Sequence, residues 1–473
     1  MDLNDIIRQI DNITTALSND DFYINSLDSA KAFVYLIVNL ATNPEVWRMV
    51  VGFFFQFSFF YPLVMAYIWM VGAIYYYYHW ERKAGKDETD PPVLKEYPPV
   101  SILVPCHNES DNIEETIGYL ENLKYPEYEI IAINDASTDD TVKKLIKLTD
   151  RYHNLRVVNL EKNQGKATGL NIAALLSKYE FLICIDADAI LSPNAITWMM
   201  SHFVNGPRVG AVTGNPRIRT RSTVLGKIQV GEFSAIIGLI KRAQRIYGRV
   251  FTVSGVVAAF RKRALHRVGY WSDDMVTEDI DISWKLQLDY WQVRFEPHAL
   301  CWILMPETFR GLFKQRLRWA QGGAEVILRY APKIMHWKAR RMWAVYVEYI
   351  TSIIWSYTIV ATAILWGLGY FINLPAFLVV PTLLPSWGGV ILGVTCLLQF
   401  FLSLLIESRY EKNILKYFFW IIWYPVAYWM INAIVVVLGF PKAMFRKNGS
   451  KATWVSPDRG VQGRRTTSLQ TVN

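Results

Sequence analysis

The sequence is poor in cysteine and shows no internal repeat. Only four cysteines occur in 473 residues, and none of them has the spacing of a metal site. Three of the four, Cys106, Cys184 and Cys301, fall in the middle region, 96–306, which is predicted to lie in the cytosol, where thiols stay reduced. A disulfide framework is therefore not expected.

A basic segment is also missing ahead of the first apolar stretch, Ala32 to Ala41, which follows an acidic N-terminus. Without that segment the stretch lacks the pattern of a cleaved signal peptide, and it is short for a membrane span. We predict that residues 1–48 form an acidic N-terminus with an interfacial helix.

Apolar residues, in contrast, are abundant. Hydrophobic residues make up 52% of the chain and aromatic residues 14%. Four stretches reach the roughly 20 residues that a helix needs to cross a bilayer. They run from Val50 to Tyr78, Trp343 to Tyr370, Ser386 to Ile406 and Leu415 to Phe440. We predict a transmembrane helix at 49–80 and a transmembrane bundle at 342–441.

The basic residues that flank these spans predict the orientation. Arg82, Lys83 and Lys86 follow the first span, and the positive-inside rule then assigns the long middle region, 96–306, to the cytosol. Three further spans would put the C-terminus outside, yet the polar tail, 442–473, is basic. The number of crossings and the side of the C-terminus stay open.

The net charge of +9 raises the alternative of nucleic-acid binding. The positive residues flank spans or lie on amphipathic segments, which suits anionic lipid headgroups and phosphorylated substrates better. We expect the lipid bilayer as a partner, and no nucleic acid. A basic cluster at Arg217, Arg219, Arg221 and Lys227 is interpreted as a solvated loop, and no site is assigned to it.

The middle region alternates short apolar runs with helical patterns. The predicted strands are Val100 to Cys106, Glu129 to Ile133, Arg156 to Leu160 and Phe181 to Ile185. This rhythm is typical of an α/β fold with a doubly wound sheet, in which ligands bind at the carboxyl ends of the strands.

Polar residues follow three of these strands. Asn108 and Glu109 follow the first strand, Asp135 the second, and Asp186 and Asp188 the fourth. Two carboxylates just past a buried strand can hold a hard divalent ion that also binds diphosphate oxygens. Loop aspartates that cap a helix are the alternative, but the strand context favours metal binding.

Two residues near these strand ends could bind a nucleotide. Asp135 could accept hydrogen bonds from a nucleobase, or it could cap a turn. Lys166 lies where a helix begins and could reach a phosphate, or it could simply be solvated. Neither residue is decisive alone.

The segment Thr277-Glu278-Asp279 is acidic. A base that removes a proton from an acceptor hydroxyl must be a carboxylate or an imidazole within hydrogen-bond reach. An acidic first helical turn, which the helix dipole favours, explains the segment equally well.

An amphipathic segment, 307–341, precedes the second long span and carries Gln315, Arg316, Arg318 and Trp319. Arginine can bind a diphosphate with two hydrogen bonds, and tryptophan can stack on a sugar face. A membrane-surface helix with basic and aromatic anchors is the alternative. We expect this helix to serve both purposes.

The order of these motifs resembles the processive inverting glycosyltransferases of family 2, which include cellulose, chitin and hyaluronan synthases. The shared order is a strand-end Asp, Asp-x-Asp, Thr-Glu-Asp and Gln-x-x-Arg-Trp before a membrane span. Segments 209–221, 270–288, 317–325 and 454–460 look like bacterial members that make a β-1,6-linked poly-N-acetylglucosamine. The resemblance covers residues 50–460.

The resemblance implies a glycosyltransferase type A domain that transfers N-acetylglucosamine from UDP-N-acetylglucosamine, with inversion, to a growing β-1,6-linked chain. Export across the membrane for a biofilm matrix is also implied. Implied donor-binding residues are Asp135, Lys166, Asn108, Glu109 and Asp186. Implied ligands of Mg²⁺ or Mn²⁺ are Asp186 and Asp188.

The same resemblance implies that Asp279 is the general base, with Glu278 beside it. It implies that the diphosphate and the acceptor end are bound by Gln315, Arg316, Arg318 and Trp319. It further implies a bacterial inner-membrane location, a small membrane partner subunit and regulation by cyclic di-GMP shared with that partner.

Three alternatives are kept. One is a transferase that adds a single sugar to a lipid carrier, and another is a chitin-like or hyaluronan-like synthase with a different linkage. The third is a non-enzymatic receptor or transporter whose carboxylates only bind a ligand.

Overall fold

The computed structural model describes residues 43–82, 89–376, 378–380, 382–383, 386–422, 424, 428–447 and 449–452. The predicted interfacial helix at 32–41 and the segment 454–460 lie outside these residues. The chain divides into two units, one of Met1–Pro62 with Thr358–Gly389 and one of Leu63–Tyr357 with Val390–Asn473. The first unit contains the start of the helix Pro44–Glu81 and the end of the helix Trp337–Leu368. The second unit contains the sheet.

An eight-stranded mixed sheet forms the centre of the second unit. Its strands are β1 (Val100–Cys106), β2 (Tyr128–Asp135), β3 (Leu155–Leu160), β4 (Phe181–Ile185), β5 (Ile190–Leu191), β6 (Val209–Ile218), β7 (Val257–Arg261) and β8 (Gln292–Ile303). Their order across the sheet is β3-β2-β1-β4-β7-β6-β8-β5.

The half of the sheet built from β1 to β4 is parallel, with β1 between β2 and β4 and β3 beyond β2. Successive residues of β1 face opposite sides: Ile102 packs in one hydrophobic cluster with Ile117, and Leu103 packs in another with Leu170. A strand buried on both faces must be apolar throughout, which is why the apolar runs predicted it. The predicted α/β fold is confirmed.

The other half of the sheet is mixed and was not predicted. β7 runs antiparallel to both β4 and β6, while β6 and β8 are parallel. Because Ile185 at the end of β4 pairs with Val257 at the start of β7, the residues leading into β7 lie at the carboxyl end of β4. This reversal brings a second chain segment to the edge where Asp186 lies.

Helices connect and cover the strands. They are Ile113–Leu120, Thr141–Thr149, Lys166–Leu176, Ala195–Val204, Val224–Phe233, Lys241–Tyr247, Lys262–Val268 and Glu278–Leu288, with a π-helical segment at Ser234–Ile240. The last of these α-helices begins with the acidic residues Glu278, Asp279 and Asp281 in its first turn.

Three helices of the described residues are long and apolar enough to cross a membrane: Pro44–Glu81, Trp337–Leu368 and Trp387–Glu407. They match three of the four predicted spans. In the fourth, Leu415 to Phe440, the described residues begin within a short 3₁₀ turn, Ile414–Tyr417. The short helix Phe418–Ile421 and the apolar helix Trp429–Met444 follow.

The predicted amphipathic segment forms one helix, Phe309–Ile334, followed by a 3₁₀ turn at Trp337–Met342. The hydroxyl of Thr308 caps the helix by accepting a hydrogen bond from the Gly311 amide at 3.1 Å. The helix packs closely against Trp429–Met444, since a Cβ added at Gly439 would lie 3.0 Å from the Ala320 Cβ.

In the basic cluster predicted to be a solvated loop, the three arginines pair with carboxylates, so that interpretation was wrong. Arg217 is 4% exposed and pairs with Glu407, and Arg221 pairs with Glu411. Carboxylates from a segment about 190 positions away neutralise these two arginines, and such long-range pairing is invisible in a local sequence window.

Candidate active site

A cavity of about 500 Å³ opens at the carboxyl ends of β1 and β4. It brings together residues from most of the motifs of the sequence. Among the residues that line it are Glu109, Lys166, Asp186, Asp188, Glu278, Asp279, Gln315, Arg316, Arg318 and Trp319. Asp135 and Asn108 do not line it.

Lys166 is the first residue of its helix and extends into the cavity. Its Nζ donates to Asp186 Oδ1 at 2.6 Å and to the Gly255 carbonyl at 3.1 Å, and it lies 3.3 Å from Glu278 Oε1. Burial lowers the pKa of Lys166, but Asp186 and Glu278 outweigh burial and raise that pKa above its usual range. Lys166 is therefore a fixed cation between two acidic segments.

Asp186 and Asp188 follow β4 and face the cavity, as the sequence predicted. Within the described ranges, no group of three or more His, Cys, Asp or Glu side chains is arranged to hold a metal ion. Two carboxylates still fit an ion such as Mg²⁺, which commonly takes one or two carboxylates and completes its shell with water and substrate phosphates.

Asp135 holds the loop that leads to Lys166. Its two carboxylate oxygens accept hydrogen bonds from the backbone amides of Gln164 and Gly165, both at 2.8 Å. The alternative of a local cap ahead of Ser137 and Thr138 is not what the structure shows, because the amides of these two residues donate to Asn134 and Asn108. The predicted contact of Asp135 with a nucleobase stays a prediction, and the carboxylate is 1% exposed.

Asn108 and Glu109 fix the turn after β1. Asn108 has a positive φ of 57°, and its Oδ1 accepts a hydrogen bond from the Thr138 amide at 2.8 Å. The Glu109 amide donates to the Thr141 hydroxyl at 2.8 Å, while the Glu109 side chain faces the cavity. Of the two, only Glu109 is placed to meet a ligand there.

Asp279 lies in the first turn of the helix Glu278–Leu288. Its Oδ2 accepts a hydrogen bond from the Gly255 amide at 3.2 Å, and its Oδ1 accepts one from the Ile280 amide at 2.9 Å. Burial and the charge of Glu278 raise the pKa of Asp279 to about 6. A carboxylate with such a pKa is a stronger base than an exposed one and is still largely ionised at neutral pH.

The two arginines of the Gln-x-x-Arg-Trp segment have different surroundings. Arg316 is buried, donates to Glu232 at 2.6 Å and stacks 4.3 Å from the Trp319 ring centre. Arg318 makes no hydrogen bond or ion pair with any residue that the structure describes. Arg318 therefore has all its donors available to a ligand, while Arg316 has only its Nε and Nη1 without a hydrogen-bond partner among the described residues.

Sequence reasoning missed two charged residues of the cavity wall, Lys241 and Glu232. Both are buried, and both follow or interrupt apolar helical stretches. A charge in such a stretch is costly unless it is paired or functional, and that pattern was an available signal.

The amino-acid sequence matches the glycosyl transferase family 2 profile over residues 101–269. A poly-β-1,6-N-acetyl-D-glucosamine synthase from Staphylococcus epidermidis is 42% identical over 406 residues, which cover 86% of this chain and 98% of that protein. A synthase of the same name from Staphylococcus aureus (strain MSSA476) is 43% identical over 407 residues, with the same coverage.

A solved structure supports the fold. The mannosyltransferase PcManGT from Pyrobaculum calidifontis, in complex with GDP-Man and Mn²⁺, superposes with a TM-score of 0.56 at 19% identity. The match covers 85% of this chain and 99% of that chain.

Proposed function

Because the chain belongs to the poly-β-1,6-N-acetyl-D-glucosamine synthases of glycosyltransferase family 2, we propose that its cavity binds UDP-N-acetylglucosamine. The membership makes the chain an enzyme that transfers N-acetylglucosamine to a growing polymer. A UDP-sugar carries a charged diphosphate, and Lys166 and Arg318 supply two cations to the cavity that would receive it.

A divalent ion, Mg²⁺ or Mn²⁺, is proposed at Asp186 and Asp188. When bound, such an ion neutralises charge on diphosphate oxygens and favours departure of UDP. The two carboxylates on the cavity wall support this assignment. The presence of Mn²⁺ with a nucleotide-sugar in the mannosyltransferase of the same fold is consistent with it.

Asp279 is the proposed general base. As the C6 hydroxyl of the acceptor attacks the anomeric carbon, its proton passes to Asp279, the new C–O bond forms and the bond to the UDP oxygen breaks. Attack from the face opposite the leaving group inverts the anomeric centre. The observation that carries this proposal is that Asp279, with a pKa of about 6, shares one cavity with the Lys166–Asp186 pair.

The test is Asp279→Asn, which keeps the side-chain shape but removes the base. We expect the rate of UDP release to fall by roughly 10²- to 10⁴-fold, with UDP binding by calorimetry retained. Asp289→Asn, at the far end of the same helix, is the matched control and should leave the rate unchanged. Normal turnover in Asp279→Asn would exclude Asp279 as the base.

Elongation with export across a bacterial inner membrane is proposed for the product. Asn432, Val435 and Val436 of the apolar helix Trp429–Met444 line the same cavity, which supports a path from the site towards the membrane helices. Membranes supplied with labelled UDP-N-acetylglucosamine should form insoluble polymer that a β-1,6-specific hexosaminidase degrades. Label found only in extractable lipid would instead identify a single-sugar transferase, and resistance to the hexosaminidase would identify another linkage.

A small membrane partner and regulation by cyclic di-GMP are also proposed, on the family resemblance alone. The purified chain should then be slow by itself and accelerate when co-expressed partner and cyclic di-GMP are both present. Full activity of the isolated chain without the nucleotide would remove this proposal.

A further inference from the structure

Lys241 is a buried amine in the cavity wall with no assigned role. It is 3% exposed, and its Nζ donates to the hydroxyls of Ser254 at 2.9 Å and Thr213 at 3.3 Å. Within the described part of the chain it forms no ion pair with a carboxylate. A buried ammonium without a counter-ion is costly, and such a group is often functional.

The neighbouring residue provides a contrast. Arg242 is buried as well, but it pairs with Glu81 and Glu407, so two carboxylates neutralise its charge. Adjacent positions on one helix thus hold one neutralised cation and one whose charge is not neutralised. Only Lys241 of the two lines the cavity.

A short chain of contacts links Lys241 to the base. Ser254, which accepts from Lys241, precedes Gly255, and the Gly255 amide donates to Asp279 Oδ2 at 3.2 Å. The Ser254 amide itself donates to the Thr213 hydroxyl at 2.8 Å, so Lys241, Thr213 and Ser254 form a closed triangle. This triangle fixes the backbone that orients Asp279.

Resting on the proposed role of Asp279 as the base, we propose that Lys241 is a positioning residue for the reaction. Its ammonium, held by Thr213 and Ser254, keeps the Asp279 carboxylate ionised and seated on the Gly255 amide while the acceptor hydroxyl approaches. The family resemblance assigned no role to this position.

Lys166 and Arg318 also lower the pKa of Asp279, so Lys241 is one of three cations that interact with this carboxylate. Glu278, on the same helix, is negative and disfavours ionisation of Asp279. Lys166, from the helix after β3, is shared with Asp186 and Glu278. Arg318, from the amphipathic helix, faces the space proposed for the diphosphate. Other titratable residues that line the cavity are Tyr349 on the helix Trp343–Leu368 and the carboxylates Glu109, Asp186, Asp188 and Glu232.

The pKa values of Lys241 and Asp279 allow Lys241 to be charged in the pH range where Asp279 ionises. Burial lowers the pKa of Lys241 to about 7, and Asp279 opposes this shift. Removing a positive charge near Asp279 raises the pKa of that carboxyl, so a smaller fraction of the base is ionised at a given acidic pH. The acidic limb of the pH–rate profile should then move to higher pH. Above the pKa of Lys241 its amine is neutral, and the effect should disappear.

The experiment measures UDP release by the full chain in membranes across the pH range, with Lys241→Met and Lys241→Arg. At about pH 6 we expect Lys241→Met to release UDP about five-fold more slowly than the unmodified chain. Above about pH 8.5 the two rates should be nearly equal. Lys241→Arg, which keeps the charge, should retain the original acidic limb.

Lys262→Met is the matched control. Lys262 is also the first residue of a seven-residue helix and donates to the Ser177 carbonyl, but it lies outside the cavity. Its pH–rate profile should equal that of the unmodified chain. A shift of the acidic limb in this control would show a general charge effect and overturn the proposal.

Two other results would also overturn the proposal. One is an equal fractional loss of rate by Lys241→Met at both pH values, because a purely structural role would lower the rate by the same factor at every pH. The other is loss of all product in both Lys241 variants, because shape and not charge would then matter. A Lys241→Met variant that accumulates in the membrane but is inactive at every pH counts as such an equal loss.

The proposal and the assignment of the base fail separately. Turnover by Asp279→Asn would remove the base itself. If Asp279→Asn is inactive and Lys241→Met scales the profile uniformly, the base stands and only the role of Lys241 falls.

Discussion

At the scale of single residues, Lys166 and a bound metal ion would compete for one carboxylate. Lys166 Nζ lies 2.6 Å from Asp186 Oδ1, and Asp186 is also a proposed metal ligand. A divalent ion and an ammonium repel each other, so loading the site requires Lys166 to turn away from Asp186. The phosphates of the donor are the natural new partner for Lys166.

Lys166→Met tests this exchange. Without the competing ammonium, the concentration of Mn²⁺ that gives half-maximal rate should fall several-fold, while kcat falls because a phosphate contact is lost. Both quantities come from UDP release measured against Mn²⁺ concentration. Lys144→Met removes a lysine paired with Glu114 outside the cavity and should change neither. An increased Mn²⁺ requirement in Lys166→Met would contradict the competition.

Lys241 shows why parts of the site were not predictable from the sequence. Its two hydrogen-bond partners lie 28 and 13 positions away, on β6 and on the segment before β7. Asp186 and Asp279 could be predicted as candidates because each stands in a short motif with its own chemistry. A lone lysine after an apolar run signals a buried charge, but only the fold shows which groups surround it.

At the scale of elements, the two halves of the sheet differ in how well they could be predicted. β1 and β4 are continuous apolar runs, because they are central parallel strands covered on both faces. β8 contains Arg294, Glu296 and His298 and is nevertheless almost fully buried. Its Glu296 accepts from the nearby His298 and from His202, which is 94 positions away and is a partner that no local pattern reveals.

The amphipathic helix meets the loop before Asp279 at Gly322. A Cβ added there would lie 2.1 Å from the Thr277 hydroxyl, so the helix and the loop approach through a position without a side chain. Gly322→Ala should displace Thr277 and, with it, the start of the helix that carries Asp279. Misplacing a reacting group by about 1 Å can cost roughly 10²-fold in rate.

We therefore expect Gly322→Ala to lower kcat by roughly 10- to 100-fold, with UDP binding retained, measured as UDP release at saturating donor. Gly118→Ala is the matched control, because nothing lies within 4 Å of the Cβ that it would add in its helix. Equal rates for the Gly322 variant and the control would show that this contact does not position the base.

At the scale of the whole molecule, charged residues connect the ends of two candidate membrane spans to the catalytic sheet. Glu81 ends the span Pro44–Glu81, and Glu407 ends the span Trp387–Glu407. Both accept from Arg242, and Glu407 also pairs with Arg217 of β6. Arg217 follows Pro216, which lines the cavity, so this network reaches from the membrane helices to the site.

Removing the charge of Glu407, the acid shared by Arg217 and Arg242, should strongly lower the stability of the fold. Glu407→Gln leaves Arg217 and Arg242 buried with too little negative charge, and breaking a buried pair in this way costs roughly 3–5 kcal/mol. The measurement is the thermal unfolding midpoint of the purified full chain in one detergent, where the variant should unfold several degrees lower.

Glu115→Gln is the matched control for that measurement. Glu115 pairs with Arg219 at 2.8 Å, but its side chain is 34% exposed, and exposed pairs contribute about 0–1 kcal/mol. If both variants unfold at the same temperature, the buried network does not hold the spans to the sheet. If only Glu407→Gln unfolds early and its rate at low temperature also falls, the attachment of the membrane helices supports the geometry of the cavity as well as the stability of the fold.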